Sequence, residues 1–145
     1  MCVCIFLLGC MVSKSANLAV GVYAYENRLA PCPKSPNCVS SRDSKDENYV
    51  QPLRYTGNKD AAYQQLVTLI TSHQRARIVV NEGNYLRAEF KSAFLRFVDD
   101  VEFLISADQQ VIDVRSASRV GYYDFGVNRR RIEDIRTKWN DELLH

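Results

Sequence analysis

The fold is decided by the stretch from Arg77 to Ala117, which reads RIVVNEGNYLRAEFKSAFLRFVDDVEFLISADQQVIDVRSA. It is rich in Val, Ile, Phe and Tyr, the residues that favour β-strands. Polar connections at 82–84 and 107–109 have the length of hairpin turns, so neighbouring strands should pair antiparallel. We predict a meander of four or five strands that includes 77–81, 84–91, 94–106 and 110–117.

Alternation within two of these strands predicts one buried face and one wet face. In the second strand the apolar residues occupy every other position, and the fourth strand repeats this pattern. The expected inward residues are Leu86, Ala88, Phe90, Ile112 and Val114, and the expected outward residues are Tyr85, Arg87, Glu89, Asp113 and Arg115.

Helical periodicity flanks the strands on both sides. Apolar residues at three- and four-residue steps after Asn58 predict a helix over about 59–73 with Asn58 as its N-cap. A second pattern predicts a helix over 129–144 with Asn128 as its N-cap. The fold class is therefore α+β, an antiparallel sheet of four to five strands with two helices packed on one face.

Length and composition limit the protein to one main domain. The chain has 145 residues, 46% of them hydrophobic and 25% charged, with a formal net charge of +2. This charge gives no basis for a nucleic-acid partner, and no apolar run is long enough for a polytopic membrane protein. We assign residues 51–145 to a single α+β domain and residues 11–50 to a tether and an extended lead-in that carries a cysteine loop.

Residues 1–10, MCVCIFLLGC, have the pattern of a lipoprotein signal. The uncharged apolar run ends in Leu-Leu-Gly-Cys, and the small Gly9 would let a peptidase reach the bond before Cys10. We expect a lipid on Cys10 and a periplasm-facing lipoprotein of a bacterial cell envelope, held at the membrane by that anchor. Because the run lacks a preceding positive charge and is shorter than usual, an accidental apolar start or a start site further upstream is the alternative.

Two cysteines remain in the lead-in after such processing. In APCPKSPNCV, residues 30–39, prolines stiffen a tight loop, and five residues separate Cys32 from Cys38. An exported protein meets the oxidising conditions that a disulfide needs. Half of a zinc site is the alternative, although only His73 and His145 are available to complete it. We therefore favour a Cys32–Cys38 disulfide and predict no metal site.

The densest polar constellation surrounds the end of the fourth strand and the start of the last helix. Arginine side chains bind carboxylate or phosphate groups, and a helix N-terminus offers amide groups to an anion. A basic run at this end of the helix is itself unfavourable unless an anion lies nearby. The candidate ligand-binding residues are Arg115, Ser116, Ser118, Arg119, Asp124, Asn128 and Arg131.

A purely structural interpretation of these residues is equally physical. Arg119 would then pair with Asp124, the serines would satisfy turn amides, and Asn128 would cap the helix. Alternation already places Arg115 and Ser116 on opposite faces of the strand, so only part of the set would converge directly.

Recognised catalytic patterns are weak in this chain. His73 falls at a helix end and His145 is the last residue, so neither is a convincing general base. Asp99 and Asp100 are adjacent in a strand and should point to opposite faces, which prevents them from acting as an acid and base pair. The sequence also lacks a phosphate-binding loop and a dinucleotide fingerprint, and we predict no cofactor.

These observations favour a non-enzymatic domain that binds a partner or a small anionic ligand. The alternative is an unrecognised hydrolase or transferase that uses Arg115, Arg119 and Asp124 around a cleft.

Three motifs in order give the chain a specific resemblance. They are LAPCPKSPNCVSS at 29–41, FVDDVEF at 97–103 and DVRSASRVGYYDFGVNRRRI at 113–132. Together they resemble the domain-of-unknown-function family 1499 over roughly residues 28–140. The resemblance implies an envelope protein or lipoprotein in bacteria, with relatives in plastid-bearing eukaryotes, and it implies no established activity. Tyr123 departs from the smaller polar residue expected beside Gly121 and Tyr122.

Overall fold

Two helices and six strands make up the computed structural model, which describes residues 29–44, 47–92 and 96–143. The predicted signal segment 1–10 with Cys10, residues 11–28 of the predicted tether, and His145 lie outside the described residues. The elements are β1 (Cys38–Ser40), β2 (Leu53–Arg54), α1 (Lys59–Thr71), β3 (Ala76–Glu82), β4 (Tyr85–Lys91), β5 (Val98–Ser106), β6 (Val111–Ser118) and α2 (Val127–Leu143).

The predicted meander is confirmed. The strand order is β1-β6-β5-β4-β3, with β2 also paired to β6, and all strand pairs are antiparallel. The register of β3 against β4 shifts between Ile78 and Val80, which marks a β-bulge. Strand β5 begins at Val98 rather than at residue 94, and just before it the Phe97 amide donates to Ser92 Oγ at 3.0 Å instead of to a neighbouring strand.

Helix α1 follows the sequence prediction closely. The side-chain oxygen of Asn58 accepts the amide hydrogens of Asp60 at 2.7 Å and Ala61 at 3.0 Å, so Asn58 is the N-cap. The helix ends at Thr71, two residues earlier than predicted, and His73 lies beyond it.

Helix α2 corrects the predicted cap. It begins at Val127, so Asn128 lies inside its first turn and is buried. The carboxylate of Asp124 accepts the amide hydrogens of Gly126 at 2.9 Å and Asn128 at 2.8 Å. Asp124 therefore satisfies amides at the helix start, and the predicted capping role of Asn128 is wrong.

Both helices cover the same face of the sheet and form the main core with it. The Trp139 side chain of α2 is fully buried, and its indole nitrogen donates to the Arg54 carbonyl at 2.7 Å. Neither helix is long and apolar enough to cross a membrane, within the part of the chain that the structure describes. Large, fully buried members of this core are Leu53, Leu66, Ile70, Leu86, Phe103, Ile112, Ile132 and Trp139.

The opposite face is not the wet surface that alternation predicted. Tyr85 and Leu104 on that face are buried with Leu29 in a second apolar cluster. Asp113 and Arg115 are buried too, because the chain around residues 31–42 lies over them. Alternation within a strand depends only on the residues of that strand, whereas the segment that covers this face is distant in sequence.

The cysteine loop joins the lead-in to the sheet. Cys32 and Cys38 form a disulfide with their Cα atoms 5.7 Å apart, as predicted, and the zinc alternative is wrong. Cys38 is also the first residue of β1, which pairs with β6. Val39 and Val50 are part of the main core, so this part of the lead-in packs against the domain.

Candidate binding site

A buried polar cluster lies between β6 and α2, with Asn128 at its centre. The Asn128 side chain is 0% exposed. Its Nδ2 contacts the Asn37 carbonyl oxygen at 3.0 Å, Ser118 Oγ at 2.9 Å and Asp124 Oδ2 at 2.9 Å. Its Oδ1 accepts a hydrogen bond from Ser116 Oγ at 2.6 Å. Four predicted site residues therefore come together here.

Arg131 is the fifth predicted residue in this cluster. Its guanidinium donates to Ser116 Oγ at 2.9 Å and Asn128 Oδ1 at 2.6 Å, and it forms an ion pair with Asp99. The same group lies 5.2 Å from the centre of the Phe90 ring. The carboxylate of Asp99 offsets the unfavourable position of this positive charge near a helix start.

Arg115 lies on the opposite face of the sheet. It forms an ion pair of 2.5 Å with Glu102, whose side chain is 0% exposed, and Tyr85 donates its hydroxyl to the same carboxylate at 2.8 Å. Burial raises the pKa of Tyr85, and the negative charge of Glu102 raises it further. The hydroxyl of Tyr85 therefore keeps its proton and donates a hydrogen bond to Glu102.

Arg119 also lies on that face, where it bridges two strands. It contacts Asp100 through Nε at 2.7 Å and Glu89 through a terminal nitrogen at 2.7 Å. Hydrogen bonds from Arg77 and Arg119 lower the pKa of Glu89 to about 2. The predicted Arg119–Asp124 pair is wrong, because Asp124 is committed to the start of α2.

The sheet thus separates the predicted site residues into two groups. Ser116, Ser118, Asp124, Asn128 and Arg131 form one group, and Arg115 and Arg119 belong to a charged network on the other face. Asp99 and Asp100 point to opposite faces, as predicted, and bind Arg131 and Arg119 respectively.

An apolar surface lies beside the polar cluster. We call it the aromatic patch, and it consists of six exposed residues, Phe97, Val120, Tyr122, Tyr123, Phe125 and Val127. Five of the six line a cavity of about 490 Å³, which Asp99, Ser118 and Asp124 also reach. The ring of Tyr122 packs edge-on against Tyr123, with the ring centres 4.8 Å apart. An apolar cavity with a few polar groups is typical of a ligand site.

Phe125 is the most exposed member of the aromatic patch. Its side chain is 88% exposed, and its backbone has a φ of 52°. This left-handed conformation is unfavourable for a bulky side chain. Two hydrogen bonds hold the turn. The Asp124 carboxylate accepts the Gly126 amide hydrogen, and the Arg130 guanidinium donates to the Phe125 carbonyl at 2.9 Å. The fold therefore holds an apolar ring in water on a strained backbone.

A second cavity, which we call the basic groove, adjoins the aromatic patch. Its volume is about 290 Å³, and Ser92 and Val127 line both cavities. Burial lowers the pKa of His73, and the positive charges of Lys138 and Arg75 lower it further, so this imidazole is neutral at neutral pH. The charged and titratable residues of the basic groove are His73, Arg75, Lys91, Arg130, Arg131 and Asp134.

Sequence reasoning missed the aromatic patch and the role of Asn37. The signal for the patch was the run Tyr122, Tyr123 and Phe125 within an irregular segment, where large apolar side chains have no core-facing period. Asn37 gave no comparable signal, because its link to Asn128 spans 91 residues.

A comparison with known protein families matches the part of the chain that contains the candidate site. A family model described as "Protein of unknown function (DUF1499)" matches residues 28–139. The chain belongs to the DUF1499 family. The region matched to DUF1499 includes the cysteine loop, the polar cluster and the aromatic patch, and this membership assigns no activity or ligand. No curated protein matches the chain.

Proposed function

We propose that this DUF1499 chain is a non-enzymatic binding domain of the cell envelope whose ligand or partner occupies the aromatic patch beside Ser118–Arg131. One observation carries the proposal: of the seven large hydrophobic side chains exposed among the described residues, six belong to this patch. Contiguous apolar surface of this kind marks a binding site, because a ligand removes it from water.

The backbone at Phe125 supports the same function. A residue at φ 52° with its ring 88% exposed contributes little packing to the fold. Strained conformations of this kind cost about 1–3 kcal/mol and cluster at functional sites. A ligand that covers the ring would gain the burial that the fold does not provide.

Contacts of the candidate catalytic residues favour binding over the hydrolase or transferase alternative. Arg115 and Arg119 bind carboxylates on one face of the sheet, whereas Asp124 binds helix amides on the other side. The three side chains do not converge on one cleft, and each is already engaged in hydrogen bonds.

Envelope anchoring through a lipid on Cys10 is the second part of the proposal. The apolar run before Cys10 supports it, and so does the Cys32–Cys38 disulfide, which is stable in an oxidising compartment. The membrane would then be a partner through the acyl chain, and the folded domain would lie outside the cytoplasm.

Replacing Phe125 with asparagine should separate binding from stability. Asparagine tolerates the left-handed backbone, so we expect the free energy of unfolding to rise by about 1 kcal/mol. Binding of the neutral apolar dye Nile red should weaken at least fivefold, because the exposed ring is lost. Chemical denaturation and dye titration of the full chain with the disulfide intact provide the two measurements.

The matched control for this variant is Tyr49→Asn. Tyr49 is exposed but lies outside the aromatic patch, so its replacement should leave dye binding unchanged. Equal dye binding by wild-type protein and Phe125→Asn would refute the aromatic patch as the site.

Replacing Cys10 with serine should remove the protein from the membrane. Expressed in a bacterium, the wild-type chain should incorporate a labelled fatty acid and sediment with membranes, because an acyl chain supplies about 0.8 kcal/mol per buried CH₂. Cys4→Ser is the control, since Cys4 precedes the expected cleavage site. Labelling that persists in Cys10→Ser would contradict the proposed anchor.

A further inference from the structure

The basic groove continues directly from the aromatic patch. Both cavities are lined by Ser92 and Val127, and Arg131 lies in the groove while its partner Asp99 reaches the apolar cavity. One ligand of modest size can therefore contact both. Their volumes of about 490 and 290 Å³ suit a small molecule rather than a folded domain.

The basic groove carries positive charge that the fold does not neutralise. Arg131 is paired with Asp99, but Arg130 binds a carbonyl oxygen instead of a carboxylate. Within the described part of the chain, Arg75 and Lys91 form no ion pair, and Asp134 is the single acidic residue of the groove. Three cations beside one carboxylate favour an anionic group.

The polarity of the two cavities changes over a short distance. The aromatic patch is apolar, whereas the adjoining groove presents guanidinium and ammonium groups, which bind phosphate and carboxylate through charge-assisted hydrogen bonds. A purely apolar ligand would leave the cations without a partner, and a bare anion would leave the aromatic rings in water. A molecule with both parts satisfies each surface.

We propose that the two cavities together bind a single-chain anionic amphiphile. Its apolar chain lies in the cavity of the aromatic patch, and its charged headgroup lies in the basic groove near Arg75, Lys91 and Arg130. The inference rests on the proposed function, since it names the class of ligand for the same site. It adds one requirement, that the headgroup charge contributes to the affinity.

Calorimetric titration with octyl phosphate, octanol and inorganic phosphate tests this requirement. The protein is the full chain with its disulfide intact and with Cys10→Ser, so that it carries no acyl chain of its own. We expect octyl phosphate to bind at least tenfold more tightly than octanol, because its headgroup carries the negative charge that the cations bind and the hydroxyl of octanol carries none. Inorganic phosphate should show no saturable binding over the same concentrations.

Charge variants locate the headgroup. Arg75→Gln combined with Lys91→Gln should weaken octyl phosphate binding at least tenfold and leave octanol binding unchanged. The control pair is Arg54→Gln with Lys59→Gln. It removes the same charge, and Arg54 pairs with Val111 at the end of β6 opposite to Ser118, so binding should not change.

The possible failures are distinguishable. Equal affinities for octyl phosphate and octanol, or no effect of the Arg75 and Lys91 changes, would overturn the amphiphile and leave an apolar binding site. Failure of octyl phosphate, octanol and Nile red to bind would overturn the proposed function as well. Binding to phosphatidylglycerol vesicles without binding to monomeric octyl phosphate would overturn the inference in favour of docking on a membrane surface.

Discussion

Replacing Arg115 with alanine should lower the free energy of unfolding by about 3–5 kcal/mol. Glu102 is 0% exposed, and its carboxylate is held by Arg115 at 2.5 Å and by the Tyr85 hydroxyl at 2.8 Å. Removal of the guanidinium leaves a buried carboxylate without its ion-pair partner. This penalty greatly exceeds the packing lost with the arginine side chain.

Urea denaturation followed by circular dichroism measures this effect. Arg77→Ala is the matched control, because Arg77 also binds a carboxylate on this face but its side chain is 72% exposed. Exposed pairs contribute about 0–1 kcal/mol, so the control should change little. Arg115→Met combined with Glu102→Gln removes both charges and should recover most of the stability. A loss below about 1 kcal/mol for Arg115→Ala would contradict the role given to this pair.

Replacing Asn128 with alanine should lower the free energy of unfolding by about 3 kcal/mol. The Asn128 side chain contacts Ser116, Ser118, Asp124 and the Asn37 carbonyl, all within 3.0 Å. Each buried polar group that loses its partner costs about 1–3 kcal/mol. Because Asn128 joins the lead-in, β6 and α2, its loss affects three parts of the fold together.

Two further variants make this prediction specific. Asn140→Ala changes an exposed asparagine in the same helix and should leave the unfolding free energy within about 0.5 kcal/mol. Asn128→Asp keeps the size of the side chain but replaces the donor Nδ2 with an oxygen that faces other acceptors. It should destabilise the protein as strongly as alanine does. An Asn128→Asp variant with an unchanged free energy of unfolding would show that donation by Nδ2 is unimportant.

Local patterns predicted the elements whose signals lie within their own residues. Helix α1 combines a capping asparagine with a sustained apolar period, and β4 alternates clearly from Leu86 to Phe90. Strands β1 and β2 contain three and two residues, which is too short for a periodic signal. The buried second face depends on Leu29 and the cysteine loop, and alternation within β6 contains no information about that cover.

Local patterns likewise predicted one part of the candidate site and missed another. Alternation correctly placed Arg115 and Ser116 on opposite faces, but it did not supply the strand register. Arg119 pairs with Asp100 and Glu89 because the register brings β5 and β4 beside it, whereas proximity in sequence suggested Asp124. The carboxylate of Asp99 reaches Arg131 across 32 residues, which no local pattern indicates.

The bulge in β3 has a consequence for how copies of this domain meet. The sheet ends at β3 on one side and at the short β1 and β2 on the other. Open strand edges can recruit another chain and start aggregation, but a bulge or a very short strand provides a poor template. Among the residues that the structure describes, neither margin of this sheet offers a long regular ladder to a second copy. The architecture thus protects against edge-to-edge polymerisation even at high protein concentration.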